Sequence, residues 1–514
     1  MIIHSPVPYL RKTIVLFGLV IVAVGAGISG WRWLTEPPAN IVLTNGTALT
    51  WVPCWFEVPL LKTMHCAYFY PPPDKKRGVV RLPVVVVRNR LFVHDDDPVL
   101  YIAGGPGGSS WLEEENIDFW LQWIERNEWP HDLVLYDQRG TGLSEPKASC
   151  PELIDTARRA LAQNLTLEQE YAKAMATARR CHRRLSAEGG QLAMYSTDTN
   201  ARDVHELMGA LGHAQWNLYG VSYGSRVTME VIRRYPETIR SVVLDSVYPP
   251  SVDAILKWPA LVNNALEGLF RQCRLDQDCS GLMPNPRASF TRALARLRRE
   301  PARLEVTSWY GEESIKVVIN SHRFLYAVFI GLYDRQLIES LPFYIDSASQ
   351  GRYTAIKPLI EYYANMVLDE SLNDVVYYAV ECHDSSRFDR AAYLAEANKY
   401  PLVARYVRHD WASDICQFWT RRHAPRAFRA PVRSAIPTLL LSGGLDPITP
   451  AEWAKQAASH LSRSHHVSFP AVGHGVVDSD DCAPEVVRTF LASPEKVPAA
   501  GCLKNLPKVR FTQW

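Results

Sequence analysis

Neither sign of charge prevails in this chain: 56 lysines and arginines stand against 54 aspartates and glutamates in 514 residues. A long basic tract interleaved with aromatics is also missing, and the two absences together exclude a charge-built nucleic-acid surface. Internal repeats and low-complexity tracts are absent, which removes the solenoid and disordered classes. The cysteines show no zinc-module spacing, and no glycine loop ends in the Lys-Ser/Thr of a phosphate-binding P-loop. What is present is 47% hydrophobic residues in a chain longer than one ordinary domain. That length suits one large α/β domain carrying an insertion.

One long uncharged apolar run occurs, at 13–30, after a short segment 1–12 that ends in Arg11 and Lys12. A spanning helix needs roughly 20 apolar residues and a signal-peptide core about 7 to 15, so the run is closer to an anchor. Gly25, Ala26, Gly27 and Ser29 keep signal-peptidase cleavage open as the alternative. Either way the remainder is exported: anchored and facing the periplasm or exterior, with the membrane as a partner, or secreted. The ten cysteines agree with export. They fall as sequence neighbours, Cys54 and Cys66, Cys150 and Cys181, Cys273 and Cys279, Cys382 and Cys416, Cys482 and Cys502. This reads as a disulfide framework whose connectivity stays open.

After a linker at 31–50 with Pro37 and Pro38, short β-rich runs from Trp51 suggest an antiparallel lead-in. Buried-strand runs then end in glycine loops, at 98–103 before Gly104-Gly105-Pro106-Gly107-Gly108-Ser109 and at 133–136 before Asp137-Gln138-Arg139-Gly140. A helix at 198–211 stops at Gly212, a strand at 216–219 follows, and another comes at 241–244. Strands alternating with helices at this spacing give a doubly wound, mostly parallel sheet. The alternation lapses over 250–430, which reads as a mainly helical cap inserted between core segments 51–249 and 431–514. The core resumes with strands at 438–442 and 466–469.

Gly220-Val221-Ser222-Tyr223-Gly224 is a G-x-S-x-G sequence between a strand and a helix. That pattern holds a serine hydroxyl in the open on a sharp turn. A serine attacks a carbonyl only when a base takes its proton, and His474, in Gly473-His474-Gly475, is the candidate base. Asp446, in Gly443-Gly444-Leu445-Asp446-Pro447, is the candidate acid that orients the imidazole. Asp478, Asp480 and Asp481 are rivals near the histidine that lack a preceding strand. The order Ser, Asp, His is the order of α/β-hydrolases. Backbone N–H groups of Gly105 and Tyr223 are candidate donors to the oxyanion.

Taken together, the loops at 104–109, 137–144, 220–225, 443–450 and 473–475 resemble the prolyl iminopeptidase and tripeptidyl aminopeptidase family of serine peptidases. The resemblance covers roughly 51–502, the cap more loosely. It implies an α/β-hydrolase fold with a helical cap, peptide substrates cleaved near free N-termini, and no cofactor. Ala103 stands where the iminopeptidases usually carry histidine, which points toward the exported tripeptidyl branch. The resemblance also implies that a cap carboxylate, Glu381 or Asp384, holds the substrate ammonium group. An esterase on the same fold and a non-catalytic binding protein of hydrolase shape are the alternatives, since fold does not fix substrate.

Overall fold

A computed structural model describes residues 39–512 apart from 61, 74–78, 89–96, 190–191, 310, 312, 387, 410 and 421. The expected anchor or signal segment at 13–30 lies outside the described residues. Among those described, no helix is long and apolar enough to cross a membrane.

The strands are β1 (Ile41–Val42), β2 (Ala48–Val52), β3 (Thr63–Tyr70), β4 (Leu82–Arg88), β5 (Val99–Ile102) and β6 (Leu133–Tyr136). They continue with β7 (Trp216–Val221), β8 (Ile239–Asp245), β9 (Ala302–Thr307), β10 (Ser314–Ile319), β11 (Thr438–Gly443) and β12 (Ser464–Phe469). Ten form one sheet in the order β1-β2-β3-β4-β6-β5-β7-β8-β11-β12. The β1 to β4 lead-in is antiparallel, while β6, β5, β7, β8, β11 and β12 run parallel. The central strands carry almost unbroken apolar sequence, LVLY in β6 and VVLD closing β8, because both faces of the sheet are covered. One apolar layer lies under each face.

The helices that cover the sheet or follow its strands are α1 (Ile117–Arg126), α2 (Pro151–Leu161), α3 (Leu167–Ala187), α4 (Thr197–Leu211) and α5 (Tyr223–Arg234). Between β8 and β11 come α6 (Ala254–Leu275), α7 (Gln277–Leu282), α8 (Pro286–Arg299), α9 (Ser321–Gly331), α10 (Arg335–Gln350), α11 (Lys357–Val367), α12 (Asp374–Asp384), α13 (Arg390–Ala397) and α14 (Trp411–Trp419). The chain closes with α15 (Ala451–Ala458), α16 (Val476–Ser479) and α17 (Cys482–Ala492).

The insertion has an apolar core of its own, built from α6, α8, α9, α10 and α11. It is not helical throughout: β9 and β10 pair as an antiparallel ribbon. Two helices from the first core segment also join it. Helix α3 packs on α14, and α2 on α11 and β10. Arg323 explains the attachment. Its buried guanidinium donates to the carbonyls of Ala160, Leu161 and Gln163 at the end of α2, at 2.7 to 3.1 Å, and pairs with Glu170 of α3 at 3.0 Å. A cation suits the negative end of a helix, and burying one without such acceptors would be costly.

Five disulfides join the sequence neighbours: Cys54–Cys66, Cys150–Cys181, Cys273–Cys279, Cys382–Cys416 and Cys482–Cys502. The fourth ties α12 to α14.

Candidate active site

The turn after β7 puts Ser222 at φ 56°, ψ −122°, a left-handed conformation rare for a residue with a side chain. Two glycines make room for it. A Cβ on Gly224 would fall 1.9 Å from the Ile102 carbonyl oxygen, so only glycine lets α5 start against the end of β5. A Cβ on Gly104 would come within 3.1 Å of the Ser222 Cβ, which shows that the glycine loop after β5 runs directly over the serine.

Asp446 and His474 leave the carboxyl ends of neighbouring strands β11 and β12, and His474 Nδ1 lies 2.9 Å from Asp446 Oδ2. The carboxylate is itself fixed. Its Oδ1 accepts from the backbone N–H of Ile448 and Thr449 at 3.0 and 2.9 Å, and its Oδ2 from the Thr449 hydroxyl at 2.7 Å. Burial alone would push the His474 imidazole down, but the charge and hydrogen bond of Asp446 outweigh it and hold the pKa above the ordinary value. With the Nδ1 proton directed to Asp446, Nε2 keeps its lone pair. Of the rival acids, Asp478 accepts from the Trp123 indole at 2.6 Å and Asp480 pairs with Arg335 at 3.1 Å.

Ser222 and His474 line one cavity of about 790 Å³ between sheet and cap. Gly104, Gly105 and Ser109 form part of its wall, as do Trp120, Trp258, Tyr333 and Trp453. Four carboxylates line it, Glu170, Asp369, Glu381 and Asp478, and no described lysine or arginine does.

The two cap acids part company here. Glu381 lines the cavity, accepts from the Tyr248 hydroxyl at 3.2 Å, and is pushed up to about 7 by burial, against the pull of Arg226. Asp384, one turn on, does not line it. It sits under the wall, where Oδ2 accepts from the Thr197 hydroxyl and Oδ1 is 2.8 Å from His383 Nδ1. Of the two acids expected to meet the substrate, Glu381 lines the cavity and Asp384 does not.

A family model described as TAP-like protein matches residues 402–502. The chain is 23% identical to a tripeptidyl aminopeptidase of Streptomyces coelicolor over 469 residues, 86% of this chain and 83% of that protein. It is a serine hydrolase with the α/β-hydrolase fold, akin to the tripeptidyl aminopeptidases. Serine protease Hip1 of Mycobacterium bovis is 22% identical over 497 residues, covering 92% of this chain and 93% of that one. Among solved structures, the α/β-hydrolase MGS-M2 from a deep-sea metagenome library aligns at TM-score 0.36 and 15% identity, over 81% of this chain and 93% of that one.

Several residues of this hydrolase site escaped the sequence reading. Asp245, closing β8, accepts from the backbone N–H of Val476 and Val477 at 2.9 Å each, while Ser246 Oγ accepts from Gly475 N–H at 2.9 Å. The backbone carbonyl of Asp245 accepts from Ser222 N–H at 2.8 Å. One residue thus ties the serine turn to the histidine loop, and burial pushes its carboxyl up to about 6. Asn373 caps α12, donates to the carbonyls of Gly140 and Ala148 at 2.7 and 2.8 Å, and through its backbone N–H reaches Gly107 at 2.9 Å. No motif marks either residue. Thr449 alone lies inside one of the loops that carry the family resemblance, 443–450.

Proposed function

We propose that this protein is an exported serine aminopeptidase that hydrolyses peptide bonds near free N-termini, releasing short peptides or a terminal residue. The observation that carries the reading is Glu381, a buried carboxylate in the wall of the serine's own cavity, with no lysine or arginine among the described residues lining that wall. An ammonium group entering there meets a carboxylate that Arg226, stacked on the Tyr248 ring, partly offsets. The similarity to a tripeptidyl aminopeptidase supports it, and the five disulfides support export.

In this reading Ser222 Oγ attacks the scissile carbonyl while His474 Nε2 takes its proton. Negative charge on the carbonyl oxygen is met by the N–H groups of Gly105 and Tyr223. The C–N bond then breaks as His474 returns the proton to the departing amine, leaving an acyl-enzyme. Water attacks that ester with His474 again as base, and Ser222 recovers its proton. Asp446 stays ionised and steadies the imidazolium.

The test compares a peptide anilide with a free N-terminus, its N-acetylated analogue and a p-nitrophenyl ester, on wild type and on Ser222→Ala. Wild type should favour the free peptide, and Ser222→Ala should lose all three activities. Equal rates on free and acetylated peptide would replace the aminopeptidase reading by an esterase or endopeptidase one.

A further inference from the structure

Beneath the serine turn lies a buried polar chain that the reaction as written does not use. Gln138 Nε2 donates to the carbonyl of Ala103, the residue before the glycine loop, at 2.9 Å. Its Oε1 accepts from Asn200 Nδ2 at 2.8 Å, and the same amide donates to the Tyr223 hydroxyl at 3.2 Å. That hydroxyl is 2.9 Å from Thr197 Oγ1, which in turn bonds Asp384 Oδ2. Gln138, Asn200, Thr197, Tyr223 and Asp384 are all at most 3% exposed.

The donors can be assigned without ambiguity. The single Thr197 proton goes to Asp384 Oδ2, so Thr197 must accept from the Tyr223 hydroxyl. The Tyr223 proton is thereby spent, so Tyr223 accepts from Asn200, whose second N–H serves Gln138. From Asn200 the protons run two ways, through Gln138 to the Ala103 carbonyl and through Tyr223 and Thr197 to Asp384. Both proposed oxyanion donors lie beside this chain: Gly105 follows two residues after Ala103, and the other donor is the backbone of Tyr223 itself. Its far end, Asp384, is one helical turn from Glu381 on α12.

We propose that Asp384 and Thr197 are positioning residues, which set the oxyanion N–H groups of Tyr223 and Gly105 by anchoring the Tyr223 hydroxyl to cap helix α12. The role of Asp384 is then not to bind the substrate amine. The assignment of the oxyanion donors rests on the mechanism proposed above, but not on the identity of the substrate. A small error in the placement of such donors costs rate rather than affinity, because the oxyanion exists only in the transition state.

The test is a kcat and KM measurement on Thr197→Val, Tyr223→Phe and Asp384→Asn, with Thr197→Ser as the conservative control. The first three should lose kcat by about tenfold to a hundredfold on the p-nitrophenyl ester, the free peptide and the acetylated peptide alike, with KM little changed. The ratio of free to acetylated peptide activity should stay at the wild-type value, and Thr197→Ser should recover most of the rate. Thr197→Val combined with Tyr223→Phe should cost little more than either alone, because both cut the same link. The proposal fails if Tyr223→Phe, which removes one oxygen, keeps kcat within twofold. It fails equally if Thr197→Ser is as impaired as Thr197→Val, which would mark a packing role. Selective loss of the free-peptide preference in Asp384→Asn would return Asp384 to the amine site. Because the ester arm needs no ammonium group, a wild type indifferent to acetylation would overturn the aminopeptidase reading and leave this test standing.

Discussion

Glu381 carries opposed demands. Binding an ammonium group needs the carboxylate ionised, yet burial pushes its pKa up to about 7. The folded protein thus prefers the protonated form. The stability this contributes is full below the ordinary carboxyl pKa and is lost as pH rises through about 7. Glu381→Gln should therefore be more stable than wild type near pH 8.5, by about 3 kcal/mol at most, and equal to it near pH 4.5. Thermal unfolding at the two pH values checks this, and an equal or lower stability of the variant at pH 8.5 would contradict it. Activity should show the mirror image: the preference for free over acetylated peptide falls as pH drops below about 7. The candidate triad of Ser222, Asp446 and His474 was legible because each sits in a glycine-bounded motif just past an apolar run. Asp245 and Asp384 were not resolvable in the same way, because their roles depend on which backbone or side chain folds against them.

At the level of elements, Ser222, Asp446, His474 and the glycine loop at 104–108 all follow the carboxyl ends of parallel strands, which places them in the crevice such sheets offer, and Glu381 comes to it from α12. The loops still have to be held in register with one another. Asp245 does this between the serine turn, through its backbone carbonyl, and the helix after His474, through its carboxylate. Asp245→Asn turns one of the two acceptor oxygens into a donor, which then faces one of those N–H groups. It should lower kcat about tenfold or more on esters and peptides alike while leaving the free-peptide preference intact. Unchanged kcat would show that α16 and the His474 loop need no such clamp. Strand runs such as β6 and β11 were readable to within a residue or two, because strands covered on both faces are continuously apolar. The β9–β10 ribbon was hidden within a stretch rich in helical pattern. The docking of α2 and α3 on the insertion rests on Arg323, a contact about 160 residues away in sequence.

For the whole molecule, the balanced overall charge conceals an uneven distribution. The whole chain carries nearly equal numbers of both signs, whereas the described wall of the cavity holds four carboxylates, of which Glu170 is paired with Arg323 behind it, and no lysine or arginine. Composition could not reveal this, since it is the fold that gathers Glu170, Asp369, Glu381 and Asp478 from four separate segments. Peptides with an acidic side chain beside the scissile bond should accordingly turn over about tenfold or more slowly than apolar analogues, an effect that weakens with added salt. Equal kcat/KM for the two would show that the wall charge is neutralised in solution. The central claim, that the Ser222 cavity reads a free N-terminus through Glu381, is tested most directly by a double comparison. The kcat/KM of free and acetylated peptide is measured on wild type and on Glu381→Gln. Wild type should favour the free peptide by about 30-fold to several thousand-fold, the equivalent of some 2 to 5 kcal/mol for an ammonium–carboxylate pair. Glu381→Gln should lose most of that factor while hydrolysing the p-nitrophenyl ester at close to the wild-type rate. A variant that keeps the full preference would contradict the account.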